Sequence, residues 1–375
     1  MSVHLLHTSD VHLGATFRML GERGREQRRQ LEATFARVVA LAIEERVDLL
    51  LIAGDLFDSV AASRAGVGFS AQELRRLGAA GIRVCAVAGN HDPLGEGSAV
   101  VWRDLAAASP AVTVFGPESG AQVFPDLDLT VIGRSRQRQL SAESPLAKPP
   151  AERQTRFLVG LAHGSVQRPD LPVQFGLITP EEIAASQVDY LALGDWHSTR
   201  EVSSGGVAAW YSGAPEMIDL DEPDSGNVCL VTLEAPGRVE VTPRRVGRRR
   251  SRRLALDVAT VGGEEGAARI IQAEAHPDLA LTVVLTGLAS LADRISPNRL
   301  RQDLAGEFFR LEIRDESHLR PDVIDPAQFP ENTVLGRFVQ LMQTEVTARE
   351  GEARAVAEDA LRLGIALLEG KEVLG

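Results

Sequence analysis

Five consecutive apolar residues, Leu49, Leu50, Leu51, Ile52 and Ala53, break off at Gly54-Asp55, and no other stretch of the 375-residue chain constrains the fold as much. The run is too short to cross a membrane and too apolar for a strand with one wet face. It predicts a central strand buried on both sides, as in parallel sheets covered by helices. Asp55 then stands at its carboxyl end. Ligands of open α/β sheets gather at that end, so an acid delivered there by a buried strand is a candidate metal ligand or catalytic carboxylate. Alone, it would read as a helix cap or turn residue.

It is not alone, because the same arrangement recurs along the chain. Val3, His4, Leu5 and Leu6 lead into His7-Thr8-Ser9-Asp10-Val11-His12-Leu13-Gly14. The apolar run 82–88 ends in Gly89-Asn90-His91-Asp92-Pro93, 157–162 in His163-Gly164, and 189–193 in Gly194-Asp195-Trp196-His197. Between them lie helical patterns: one from Arg18 to Val47 with Leu31, Phe35, Val38, Val39, Ala42 and Ile43 on one face, and one near residues 70–77. Strand, helix and strand in this rhythm predict parallel pairing by crossovers, which puts the Gly89-Asn90-His91-Asp92-Pro93 motif on the same sheet edge as Asp55. A weaker strand over 127–133, a connecting loop at 144–150 and later strands near 209–215 and 227–233 complete this part.

The donors at these ends are oxygen and imidazole. Cys85 and Cys229 sit inside apolar β-like runs and read as buried thiols. Such a donor set suits Mn²⁺, Fe²⁺, Zn²⁺ or Mg²⁺ rather than a thiolate site. Two ions about 3.5–4 Å apart with a bridging carboxylate are the usual device for displacing an oxygen at phosphorus, and Asp55 is the natural bridge.

No stretch approaches the roughly 18 apolar residues of a spanning helix, and the first residues lack a charged start and apolar centre, so a cytoplasmic protein without a membrane segment is expected. The net charge of −12 argues against a chain that coats nucleic acid over its whole surface. A local basic groove remains open, since charges beyond about 8 Å are screened at physiological salt. Arg18, Arg23, Arg25, Arg28 and Arg29 form one basic cluster, read as a solvated helix face or as phosphate contacts. Seven arginines within 244–253 form another, read as an interdomain linker or a DNA-facing surface. The apolar runs 254–258 and 281–285 around an acidic, glycine-rich turn predict a small α/β domain. Beyond it, Leu335, Phe338, Val339, Met342 and Val346 predict an amphipathic helix, followed by another over 356–368. This pair either covers its own core or offers an apolar face to another protein. The expected division is 1–245, 246–325 and 326–375.

Taken in order, the Asp10-Val11-His12, Gly54-Asp55-Leu56-Phe57-Asp58, Gly89-Asn90-His91-Asp92, His163 and Gly194-Asp195-Trp196-His197 motifs resemble the calcineurin-like metallophosphoesterase superfamily. The wording of the first two is similar to its DNA double-strand-break-repair nuclease branch, including SbcD-type exonucleases. The resemblance implies a four-layer αββα sandwich with a small α/β capping domain and C-terminal helices. It implies two divalent ions, Mn²⁺ first, with Mg²⁺ or Fe²⁺ as alternatives. One ion would be held by Asp10, His12, Asp55 and His197, the other by Asp55, Asn90, His163 and Asp195. A hydroxide bridging the ions would attack phosphorus, His91 would protonate the leaving oxygen, and Asp92 would orient His91. The implied partners are linear DNA ends and an SMC-like or ABC-type ATPase; a homodimer is left open. His4 is assigned to strand packing or surface, and His7 to a place behind the ligands. The chain departs from the family at Asp195, a carboxylate where an imidazole is usual. A phosphatase or cyclic-nucleotide phosphodiesterase, or a non-catalytic DNA-end-binding subunit, are the alternative readings.

Overall fold

The computed structural model describes residues 2–21, 23–61, 63–95, 99–138, 143–167, 177–219, 222–289, 295–319 and 329–369. The chain divides into two compact units, Met1–Ser251 and Arg252–Gly375.

Strands of the first unit are β1 (Val3–Thr8), β2 (Leu49–Ala53), β3 (Arg83–Val87), β4 (Val112–Val114), β5 (Gly120–Phe124) and β6 (Leu129–Gly133). They continue with β7 (Phe157–His163), β8 (Tyr190–Gly194), β9 (Arg200–Glu201), β10 (Ala208–Tyr211), β11 (Asn227–Ala235) and β12 (Arg238–Arg245). Two six-stranded sheets result, ordered β12-β11-β1-β2-β3-β4 and β5-β6-β7-β8-β10-β9. In the first, β1 to β4 are parallel and β11 and β12 are antiparallel additions. In the second, β6, β7, β8 and β10 are parallel.

The alternation of β2 sets the layers. Leu49, Leu51 and Ala53 join Cys85 and Cys229 in the core between the sheets, facing Val131, Val159, Leu161 and Ala192. Leu50 and Ile52 point the other way, onto α1 (Arg23–Glu44), α2 (Arg64–Ala79) and α3 (Ala99–Ala108), through residues such as Phe35, Leu74 and Trp102. The outer face of the second sheet is covered by Ala147, Ile178 and Ile183, the last on the short α4 (Pro180–Ala185). This is the expected order of helix, sheet, sheet and helix, but α4 is the only described helix of the fourth layer.

Local signals explain where elements differ from expectation. The first helix begins at Arg23 rather than Arg18, because Phe17 (φ 47°) and Gly21 (φ 55°) take left-handed backbone around a single 3-10 turn. The second begins earlier than its apolar face, at a cap where Ser63 Oγ accepts from Gly66 N. The arginine run is partly internal: Arg249 is 2% exposed and pairs with Glu26, and Arg245 donates to the Ser225 and Arg249 carbonyls.

The second unit holds most of β13 (Arg250–Asp257), with α5 (Gly263–Ala273), β14 (Leu279–Thr286), β15 (Leu288–Ala289), α6 (Pro297–Leu304), β16 (Arg310–Asp315) and β17 (His318–Leu319). Strands β13, β14 and β16 form one sheet, whose core includes Leu281, Val283, Ile271 and Leu300. The start of the expected third segment, 326–328, lies outside the described residues. In α7 (Val334–Thr347) the predicted stripe packs on α8 (Gly351–Leu368), with Val339 against Leu361 and Ile365. The Phe338 ring occupies the space that a Cβ at Gly364 would need. No described helix is long and apolar enough to cross a membrane.

Candidate metal centre

Every motif singled out in the sequence falls at the carboxyl end of a parallel strand, and both sheets contribute. The loops after β1 and β2 run side by side, joined by Asp10 N to Gly54 O (3.1 Å), His12 N to Asp55 O (3.0 Å) and Leu13 N to Leu56 O (3.0 Å). Asp10 (φ 53°), His12 (φ 50°), Asp55 (φ 50°) and Asp195 (φ 102°) all have positive φ. Asp and His tolerate such backbone better than most residues, yet each instance costs about 1–3 kcal/mol and persists where surrounding contacts enforce it. The glycines of the motifs are required by close approach. A Cβ at Gly54 or Gly194 would run into the His163 ring, and one at Gly89 into Asp55.

Among the described residues four groups of donors have their atoms within 4.8 Å: His12 with Asp58 and His91, His197 with Asp219 and Glu222, and two that overlap at Asp10, one of Asp10, His12 and His197 and one of Asp10, Asp55 and His163. Asp55 Oδ2 lies 3.3 Å from His163 Nε2 and 3.8 Å from His12 Nε2, between the overlapping two. Asp10 belongs to both, so two carboxylates, not Asp55 alone, reach toward either position. Asn90 Oδ1 lies 2.7 Å from His163 Nε2. Asp195 sits at the margin: Oδ1 is 3.7 Å from His163 Nε2, Oδ2 accepts from Ser165 Oγ, and its backbone N–H donates to Asp10 Oδ1 at 3.0 Å.

The crowding of charge shifts these groups. Burial raises the Asp10 carboxyl above its ordinary range, against the pull of His163 and His197. Burial also opposes ionisation of Asp55, but the facing imidazoles of His163, His12 and His91 outweigh it and hold that carboxyl well below the usual range. His163, though buried, is raised to about 10, mainly by Asp55 and Asp10. Desolvation of His197 is likewise overcome, by Glu222 and then Asp10, and its value rises to about 9.

These residues fit a pair of divalent ions. The donors are carboxylate, amide and imidazole, converging without a thiolate. Buried His12 Nε2 has no hydrogen-bond partner, a costly state for an imidazole unless something electrophilic is to meet it. His7 is elsewhere: fully buried, its Nδ1 pairs with Tyr190 OH at 2.8 Å, and burial lowers it to about 3. His4 lies on the exposed edge of β1, bonded to Ser2 and Thr232.

Asp92 does not take the orienting role expected of it. Its oxygens accept from Phe57 N (3.0 Å) and Gly89 N (2.8 Å), and burial, with the nearby Asp55 charge, raises it to about 7. Asp58 is the residue that meets His91: His91 Nδ1 lies 3.0 Å from the Asp58 carbonyl, and Asp58 Oδ1 is 3.2 Å from His12 Nδ1. The physical reason is that two buried N–H groups need an acceptor, which Asp92 supplies. In the sequence Asp58 closes the Gly54–Asp58 motif with nothing to mark it as a partner of His91. Ser165, Glu222 and the buried Arg136, whose Nε donates to His163 O at 3.3 Å, carried no sequence signal.

Fold and centre together define a metallophosphoesterase, and residues 3–199 match the calcineurin-like phosphoesterase family, to which the chain belongs. The chain is 28% identical over 235 residues to the uncharacterized metallophosphoesterase YhaO of Bacillus subtilis, covering 60% of this chain and 56% of that one. It is 29% identical over 298 residues to the DNA double-strand break repair protein Mre11 of Haloferax volcanii, covering 78% and 63%. With Mre11 of Aeropyrum pernix the identity is 27% over 277 residues, covering 69% and 64%. The chain therefore spans between 56% and 64% of these relatives' lengths. Several of the matched relatives are thus DNA double-strand break repair proteins of the Mre11 type.

Proposed function

We propose that the chain is a Mn²⁺-dependent phosphodiesterase that hydrolyses DNA from linear ends. The observation that carries this reading is the convergence of Asp10, His12, Asp55, Asn90, His163, Asp195 and His197 at the carboxyl ends of strands from both sheets, with His91 beside them. One ion would be held by Asp10, His12, Asp55 and His197, and the other by Asp55, Asn90, His163 and Asp195, with Asp10 reaching toward both. Bound ions supply Lewis acidity toward phosphoryl oxygens and lower the pKa of water at the site. His91, its side chain 41% exposed, is open to substrate, whereas Asp10, His12, Asp55 and His163 are buried. With Nδ1 donating to the Asp58 carbonyl, its Nε2 is the nitrogen that gives a proton to the leaving sugar oxygen. Such general-acid help is typically worth about 10²–10⁴-fold.

The nuclease reading draws on the Mre11 relatives. By the same support, residues 246–325 are proposed to contact DNA, residues 326–375 to receive an SMC-like or ABC-type ATPase, and the protein to act in the cytoplasm. Incubation of linear and closed-circular duplex DNA with Mn²⁺ tests the activity. Shortening of linear DNA that disappears in His91→Ala supports the proposal, and nicking of the closed circle would add endonuclease activity. Turnover confined to phosphomonoesters or cyclic nucleotides would overturn it in favour of a small-molecule phosphoesterase. DNA retention without cleavage in Mn²⁺, Mg²⁺ and Fe²⁺ would assign an end-binding role.

A further inference from the structure

An imidazole has two nitrogens, and an ion takes one of them. His197 Nδ1 lies 2.5 Å from Glu222 Oε1, which leaves Nε2 as the nitrogen available beside Asp10 and His12. Glu222 stands outside the family match at residues 3–199 and outside every motif. Its place is nonetheless built. The Glu222 backbone carbonyl accepts from Ser251 Oγ at 2.6 Å and from Ser225 Oγ at 3.3 Å, and Oε2 accepts from Asp219 N at 3.4 Å. The chain leading to it is fastened at Glu216, whose buried carboxylate accepts from Thr34 Oγ1, Met217 N, Arg248 N and Arg249 N at 2.7–3.0 Å. So the main chain fixes where Glu222 is, and its carboxylate is left to act on His197.

We propose that Glu222 is a positioning residue of the metal centre, fixing the His197 ring so that Nε2 faces the ion and making that nitrogen a stronger ligand. A carboxylate on the far nitrogen of a ligating histidine sets its tautomer and raises its basicity, and loss of such a partner typically weakens metal affinity by about 10–100-fold. The other imidazoles have analogous partners, Ala53 O on His163 Nδ1 at 2.8 Å and Asp58 Oδ1 on His12 Nδ1 at 3.2 Å. Glu222 completes the set on the one histidine whose partner lies outside the family match. This inference rests on the dimetal reading above.

Calorimetric titration of the metal-stripped full chain with MnCl₂ separates the two. Failure of the unaltered protein to bind Mn²⁺ would sink the dimetal reading itself. If it binds, Glu222→Gln is expected to weaken one site by about tenfold and Glu222→Ala by up to about 100-fold, with the other site little changed. The Gln variant keeps the size of the side chain and the backbone carbonyl that anchors the loop, so it reports even where the Ala variant fails to fold. Unchanged Mn²⁺ affinity in Glu222→Gln, with or without a lowered melting temperature of the metal-free protein, would reduce Glu222 to a structural contact and overturn the proposal.

Discussion

The two sheets deliver their donors to the centre in different ways. Asp10, His12 and Asp55 leave the first sheet in left-handed backbone, at most 2% exposed, with their loops joined by main-chain hydrogen bonds above a layer of three helices. From the second sheet, His163 is fully buried, but the Asp195 and His197 side chains are 20% and 18% exposed. Their side chains pair with other side chains, Ser165 and Glu222, although Asp195 also has left-handed backbone (φ 102°) and donates its N–H to Asp10. Burial leaves little room for a change of side chain, whereas a partly exposed side chain held by another side chain can be rebuilt around a new one. The carboxylate at position 195, where the family usually has an imidazole, stands on the side that could absorb it.

Substitutions on the two sides should therefore differ in kind. Asp55→Ala removes the carboxylate that lies between the two donor groups, 3.8 Å from His12 Nε2 and 3.3 Å from His163 Nε2, and elemental analysis should find both ions and all hydrolysis lost. His91→Ala touches neither sheet's donor set, so activity should fall by about 10²–10⁴-fold with metal content unchanged. Asp195→Ala should cost the second ion only; full metal content in that variant would show that Asp195 does not ligate. Proton linkage affects both sides. His163 at about 10 and His197 at about 9 carry protons near neutrality, and Mn²⁺ must expel them, so affinity should rise by up to about tenfold per pH unit for each proton released. A pH-independent affinity between 6 and 8 would contradict this. Smallest is the effect on the metal-stripped fold. Both imidazoles lie above their ordinary 6.5, so their stabilisation is complete below that value and is lost as pH rises through about 9 and then about 10. Melting temperatures after chelation should fall over that window, and those of the loaded protein should not.

Much of this was legible in the residues, for a reason β2 illustrates. A strand buried on both faces must be apolar throughout, so the polar residue that ends it is conspicuous, and five such endings mark one site, three on the first sheet and two on the second. The paired helices α7 and α8 were legible through their spacing. What was not legible depends on contacts distant in sequence. Asp92 adjoins His91 in the chain, but its oxygens are drawn to the buried N–H groups of Phe57 and Gly89, and the Asp58 carbonyl reaches His91 from another loop. Glu222 meets His197 across 25 residues that carry no motif. The helix α3 went unread because its first turns are apolar without a clear face, and only its contact with the first sheet through Trp102 and Leu105 gives it one.

Because Asp10 and Asp55 come from one sheet and His163 from the other, an ion held among them would be a rivet through two plates. Apolar contact between the sheets is non-directional and resists their separation better than their sliding. Coordination bonds have fixed lengths and resist both. Chelation should thus do more than silence the enzyme: it should free the sheets to shear, and the loss should register first as faster unfolding and faster proteolysis of the first unit.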